Sequence, residues 1–219
     1  MTDGTRYLAP GVYIDSDNPA VVAFAERATR ASHGIDRVIR LYQAVRDDIA
    51  YEAYLDFDDP STYRASAVLQ AGKGFCVGKA ALLAACARAQ GIPARVGYAD
   101  VRNHMTSRRL YERMKSDVFM WHSYTDLYIN NKWVKATPAF DRKLCERVGV
   151  QPLAFDGTSD SLFQPYSPSG RRHMEYLRDR GTFTDVPFDL IVADFRRCYA
   201  GMQVSGPVQG SFADEVESR

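Results

Sequence analysis

The chain has 219 residues with 46% hydrophobic content, enough to bury one sizeable core, and one domain is expected rather than two. Its 28 basic and 27 acidic residues leave a net charge of +1, which provides no electrostatic footprint for nucleic acid or for an anionic membrane surface. A small molecule or a peptide is the expected partner.

The first residues, Met1-Thr2-Asp3-Gly4-Thr5-Arg6-Tyr7, lack the basic-then-apolar pattern of a secretion signal, and no run of about 18 apolar residues occurs, so a cytoplasmic location is expected. Asn18-Pro19 has the order of a helix cap followed by a first-turn proline, and the Ala/Val/Phe-rich segment after it runs to Ala31. Asp36 is expected to cap a second helix, where Val38, Leu41, Tyr42, Val45 and Ile49 repeat at three-and-four spacing and form one apolar stripe. Residues 56–63 hold Asp56, Asp58, Asp59 and Pro60. They read as a solvated loop, because the acids lack calcium-loop spacing and its closing glutamate.

The most informative stretch follows. Gly72-Lys73-Gly74-Phe75-Cys76 is a glycine turn that runs into an alanine-rich helix ending near Gly91, so Cys76 stands in the first helical turn. Free backbone N–H groups and the positive end of the helix dipole favour an anion there, which predicts a thiol with a lowered pKa and nucleophilic character. Ile92-Pro93 forces an extended exit into a strand over 94–101. A helical insert is expected over 107–116, then a hairpin of strands 121–129 and 132–137 about the Asn130-Asn131 turn. Period-two alternation puts His122, Tyr124, Asp126 and Tyr128 on one face of the first hairpin strand, and imidazole and sulfur can meet if that face packs on the cysteine helix. Residues 171–180 and 187–199 read as helices, and 205–219, rich in Gly, Ser and acids, as a mobile tail.

Gly74-Phe75-Cys76, Arg88-Ala89-Gln90-Gly91-Ile92-Pro93-Ala94-Arg95, Trp121-His122-Ser123-Tyr124-Thr125-Asp126-Leu127-Tyr128 and Trp133 stand in an order that resembles the transglutaminase-like superfamily. The resemblance covers about residues 19–141. It implies an α+β, papain-like fold in which N-terminal helices and a cysteine helix pack on an antiparallel β-sheet. One domain over 1–204 is expected, with 142–204 as an extension of the core. It also implies a Cys-His-Asp triad and amide-bond chemistry through a thioester, either hydrolysis or transfer to an amine.

In that scheme Cys76 is the nucleophile and His122 the general base and then acid. The family's aspartate position falls on Thr137 here. Asp141 is the nearest carboxylate that could orient the imidazole, with Thr137, Asp126 or an amide elsewhere as alternatives. The backbone N–H of Cys76 and the side chain of Gln70 are candidate oxyanion donors, and Trp121 and His104 are candidates for the cleft wall. The thiols Cys76, Cys86, Cys145 and Cys198 show no C-x-x-C spacing and read as free. No metal or other cofactor is called for, and a non-catalytic binding protein on the same fold is the competing reading.

Overall fold

Asn18 and Pro19 start the first helix as their order predicts, with the Asn18 side chain accepting the Ala20 N–H at 3.0 Å at the head of α1 (Pro19–Thr29). The structure, a computed structural model, describes residues 5–104, 108–163, 174–199 and 212. The second helix, α2 (Ile35–Asp48), is entered through Gly34 at φ 54° with no side-chain cap, so Asp36 lies in the first turn and not at the cap. Its predicted stripe holds, since Val38, Leu41, Tyr42, Val45 and the following Ile49 are all buried.

Strand β1 (Ala50–Tyr51) leads through a 3₁₀ turn at Pro60–Thr62 into α3 (Ala65–Ala71), which ends on Gly72 at φ 64°. Residues Lys73 and Gly74 then form β2, paired in parallel with β1 so that Tyr51 stands opposite Gly74. The expected glycine turn is therefore a short strand pair that brings Tyr51 beside the start of α4 (Cys76–Ala89). Every residue of α4 from Cys76 to Arg88 is buried. A helix buried on every side has no face to give to water, and α4 is the central helix of the fold.

The sheet is built from β3 (Ala94–Asn103), β4 (Val118–Ile129), β5 (Lys132–Ala136) and β6 (Met174–Phe183), in the order β5-β4-β3-β6 with every pair antiparallel. Helix α5 (Arg108–Met114) sits between β3 and β4, α6 (Arg142–Val148) follows β5, and α7 (Phe188–Cys198) closes the chain's described helices. Residues 171–180 are not the charged helix that their composition suggests. From Met174 onward they form edge strand β6 on the free side of β3, while 171–173 lie outside the described residues. Arg180 accounts for part of the difference, because in the strand its guanidinium bridges Asp100 and Asp194 and lies 4.4 Å over the Trp121 ring. Such contacts depend on partners far away in sequence and override local propensity. The expected tail, 205–219, lies outside the described residues except for Phe212, whose ring packs edge-on against Tyr51 and Tyr54 and whose N–H donates to Glu52.

Buried side chains from Ile14 to Tyr199 form one hydrophobic cluster. The Thr125 hydroxyl donates to the Ala80 carbonyl of α4 at 2.8 Å, which sets the face carrying Ser123, Thr125 and Leu127 against the helix. On the other face the Tyr124 ring covers Gly97 so closely that a Cβ there would fall 2.2 Å from its Cζ. Gly97→Ala is expected to cost about 1 to 3 kcal/mol by overpacking, readable as a lowered urea midpoint with an unchanged m-value.

Candidate active site

Cys76 is the first residue of α4, after an extended cap at Phe75. The backbone N–H groups of Ser123, from β4, and of Val77 and Cys76, at the helix start, act on the thiol to lower its pKa. Ser123 is free to donate because β5 ends at Ala136, opposite Thr125, and leaves the adjoining edge of β4 without a strand partner. These donors pull the thiol pKa down as the helix-start argument predicts. Burial acts more strongly and pushes the Cys76 thiol up to about 11, so a lowered resting pKa is not what the structure holds. The three other thiols are unpaired with one another, as the spacing suggests.

His122 is buried on β4, and it lines with Cys76, Tyr51, Phe75, Phe119 and Tyr199 a partly open, apolar cavity. Its ring lies 5.5 Å from that of Phe163. The face of β4 that packs on α4 is the one opposite to that expected for His122, since Thr125 takes that side. Imidazole and sulfur come to one cavity at the unpaired edge of the strand instead. A register shift between Ala99 and Val101 falls just before His122, and Trp121 there adopts φ 60°. A bulge of this kind turns the chain and re-aims the next side chain. Asp100 holds it by accepting the Trp121 N–H at 3.1 Å. The Trp121 indole points away from the cavity, donates to Asp194 at 2.9 Å and packs on Tyr98 and Phe183, so this ring braces the bulge and does not wall the cleft.

Asp141 is buried and caps α6, accepting the Leu144 N–H at 2.9 Å with one oxygen and the Tyr51 N–H at 2.8 Å with the other. It thus ties the end of the hairpin to β1 beside the cavity. A carboxylate has about four lone-pair positions, so two N–H donors do not exhaust it. Asp126 is committed to Arg95 at 2.8 Å, and burial holds its carboxyl above the ordinary value against that guanidinium. Thr137 is buried, and its carbonyl accepts the Tyr42 hydroxyl at 3.1 Å. Gln70 is exposed near the end of α3, and His104 lies 3.4 Å from Glu175. Neither Gln70 nor His104 lines the cavity. Among the described residues no cluster of three His, Cys, Asp or Glu could hold a metal ion.

One functional candidate escapes the sequence reading. Lys79, one helical turn after Cys76, is fully buried and donates to the carbonyls of Arg46 and Ile49 at the end of α2. Burial pushes its ammonium down to about 7, and Asp141 is the strongest opposing charge. The signal was a lysine inside a helix apolar on all sides, where no position reaches water.

A family model described as the transglutaminase-like superfamily matches residues 22–138. Among solved structures, the chain is similar to a proposed cysteine protease of Cytophaga hutchinsonii at 20% identity, covering 84% of this chain and 48% of that one, with a TM-score of 0.49. A proposed protease of Parabacteroides distasonis is similar at 14% identity over 57% of this chain and 25% of that one, with a TM-score of 0.39. The chain spans about half the length of the first and a quarter of the second. No curated protein matches it. No helix among the described residues is long and apolar enough to cross a membrane.

Proposed function

Since the chain belongs to the transglutaminase-like superfamily, we propose that it is an enzyme of cysteine-dependent acyl transfer that hydrolyses an amide, peptide or isopeptide bond. The observation that carries this reading is that Cys76, at the start of α4, and His122 line one cavity. His122 takes the thiol proton as the sulfur attacks the carbonyl carbon, and the oxygen gains the negative charge. The backbone N–H of Cys76, at the start of α4, is the proposed donor to that charge. Collapse breaks the C–N bond, His122 protonates the departing amine, and an acyl thioester remains. Water, deprotonated by His122, then attacks the thioester and returns the thiol.

A thiol left to itself at about 11 would be ionised in about one molecule in ten thousand at neutral pH. Proton transfer to His122 must supply the nucleophile. Alkylation of each cysteine by iodoacetamide, resolved by mass spectrometry between pH 5 and 10, tests this. Wild-type Cys76 is expected to reach a plateau near neutrality, and His122→Ala to restore a climb of about tenfold per pH unit. A wild-type profile identical to that of His122→Ala rejects the enzyme reading in favour of a binding protein, which the upward push of burial on the thiol favours.

Asp141 is the proposed orienting carboxylate. Asn also caps helices well, so Asp141→Asn is expected to keep α6 while lowering kcat about 100-fold or more with little change in KM. An unchanged kcat would leave Asp141 as a helix cap only.

A further inference from the structure

We infer that the group on the acyl side of the scissile bond is an uncharged aromatic or branched aliphatic side chain, seated in the cavity beside Cys76. This rests on the reading of Cys76 as the acyl-accepting nucleophile. The part of a substrate that stays bonded to sulfur in the thioester must fit the space beside it, whereas the departing amine needs an exit. The cavity therefore selects the acyl half.

Its chemistry is one-sided. Beyond Cys76 and His122, the walls are supplied by rings such as Phe57, Phe75 and Phe195, with Leu110 and Met114 of α5 and Met120 of β4. No Asp, Glu, Lys or Arg lines it. The Tyr199 hydroxyl is already committed, donating to the Val118 carbonyl at 2.8 Å and accepting the Met120 N–H at 2.6 Å. An ammonium or carboxylate entering this space would lose its hydration and find no opposite charge. An apolar side chain gains by the same transfer. The phenyl edges already in the fold show the mode of contact: Phe57 meets Phe75 at 4.9 Å and 76°, and Phe195 at 5.5 Å and 88°. A flat ring entering among them can add a further edge-to-face pair. Helix α5 adds two apolar side chains to this space from the segment between β3 and β4, and Phe119 and Met120 of β4 add two more.

The test uses the full chain and a set of N-acyl aminoacyl chloromethyl ketones that carry Phe, Leu, Ala, Asp or Lys next to the reactive carbon, with Cys76 labelling followed by mass spectrometry. Phe and Leu probes are expected to label Cys76 about 10 to 100 times faster than Ala, and Asp and Lys probes slower than Ala. Phe119→Ser, at a half-buried wall position, is expected to reduce the Phe-to-Ala ratio. Equal rates across the wild-type series, or a charged probe as the fastest, overturn the proposal. In parallel, blocked single-residue anilides and longer peptides with the same five residues are assayed for turnover, which separates small amides from peptides as the source of the acyl group. Ordered labelling with no turnover of any amide leaves the substrate class standing and removes the hydrolase reading. Turnover with a flat order does the reverse.

Discussion

Cys76→Ala is expected to bring amide turnover to background, a fall of about 10⁴-fold or more, because the covalent route has no other nucleophile in the cavity. His122→Ala is expected to lower kcat about 10² to 10⁴-fold, the range for removing a general base. The double variant should be no worse than Cys76→Ala, since the two residues act as a unit and their effects do not add. Cys76→Ser belongs in the same series. A hydroxyl in this buried place ionises even less readily than the thiol, so serine should fail although it nearly preserves shape. Thermal unfolding of the four variants is the control. All are truncations or near-isosteres at one or two positions of a single cavity wall, and a folded but inactive Cys76→Ala is the expected outcome. Undiminished turnover by folded Cys76→Ala would reject the thioester mechanism outright.

The second large effect concerns stability and rests on Lys79. Its ammonium is fully buried, and burial lowers its pKa from 10.5 to about 7 in the folded chain. Between those values the unfolded chain binds the proton and the folded chain has released it. Stability therefore rises with pH across this window, and it falls as pH drops from 10.5 to about 7, below which both states hold the proton and the slope vanishes. From pH 7 to 9 the gain is about 2 kcal/mol, at a limiting slope of about 1.4 kcal/mol per unit. Asp141 and Asp47 favour the charged form and Arg46 opposes it, with Cys145 nearby, so these four set how far the window shifts. Above pH 9 the thiols of Cys76 and Cys145, both pushed up to about 11 by burial, act in the opposite direction. Their folded forms hold protons that the unfolded chain has already released. Urea titrations at pH 6.5, 7.5 and 8.5 should show the rise in wild type and a flat profile in Lys79→Met. Methionine matches the stem but cannot donate to the Arg46 and Ile49 carbonyls, so the diagnostic is the slope with pH and not the absolute stability. Equal slopes in the two proteins would mean that Lys79 is not the titrating group.

Legibility followed the range of the interactions involved. Asn18 caps α1, Gly91 takes φ 72° after α4, and the Asn130-Asn131 turn joins β4 to β5, each as the local residues imply. In each case the partner lies within a few residues, so a short window of sequence contains the whole interaction. Cys76 was legible for the same reason, because a helix start is a local feature. The resemblance placed His122 in a block that lines the cavity with Cys76, yet its approach to that cavity was left to the packing of its face, and the face carrying Thr125 is the one set against α4. The bulge at Trp121 and the early end of β5 decide that approach, and neither has a local marker.

By itself, then, the sequence determined the α4 start, the caps, the apolar stripes and the order of the cysteine and histidine blocks. The tertiary structure alone decided that 174–183 pairs with β3 as a strand, that the Trp121 indole braces a bulge, and that Asp141 joins α6 to Tyr51. It also decided the two ionisation states that matter most, those of Cys76 and Lys79. The reason is physical. Hydrogen-bonded caps and turns act between chain neighbours, but desolvation is the sum of everything packed around a group, and its size is set only when the distant elements arrive. At the start of α4 the local term favours the thiolate and the global term opposes it, and burial is the larger of the two.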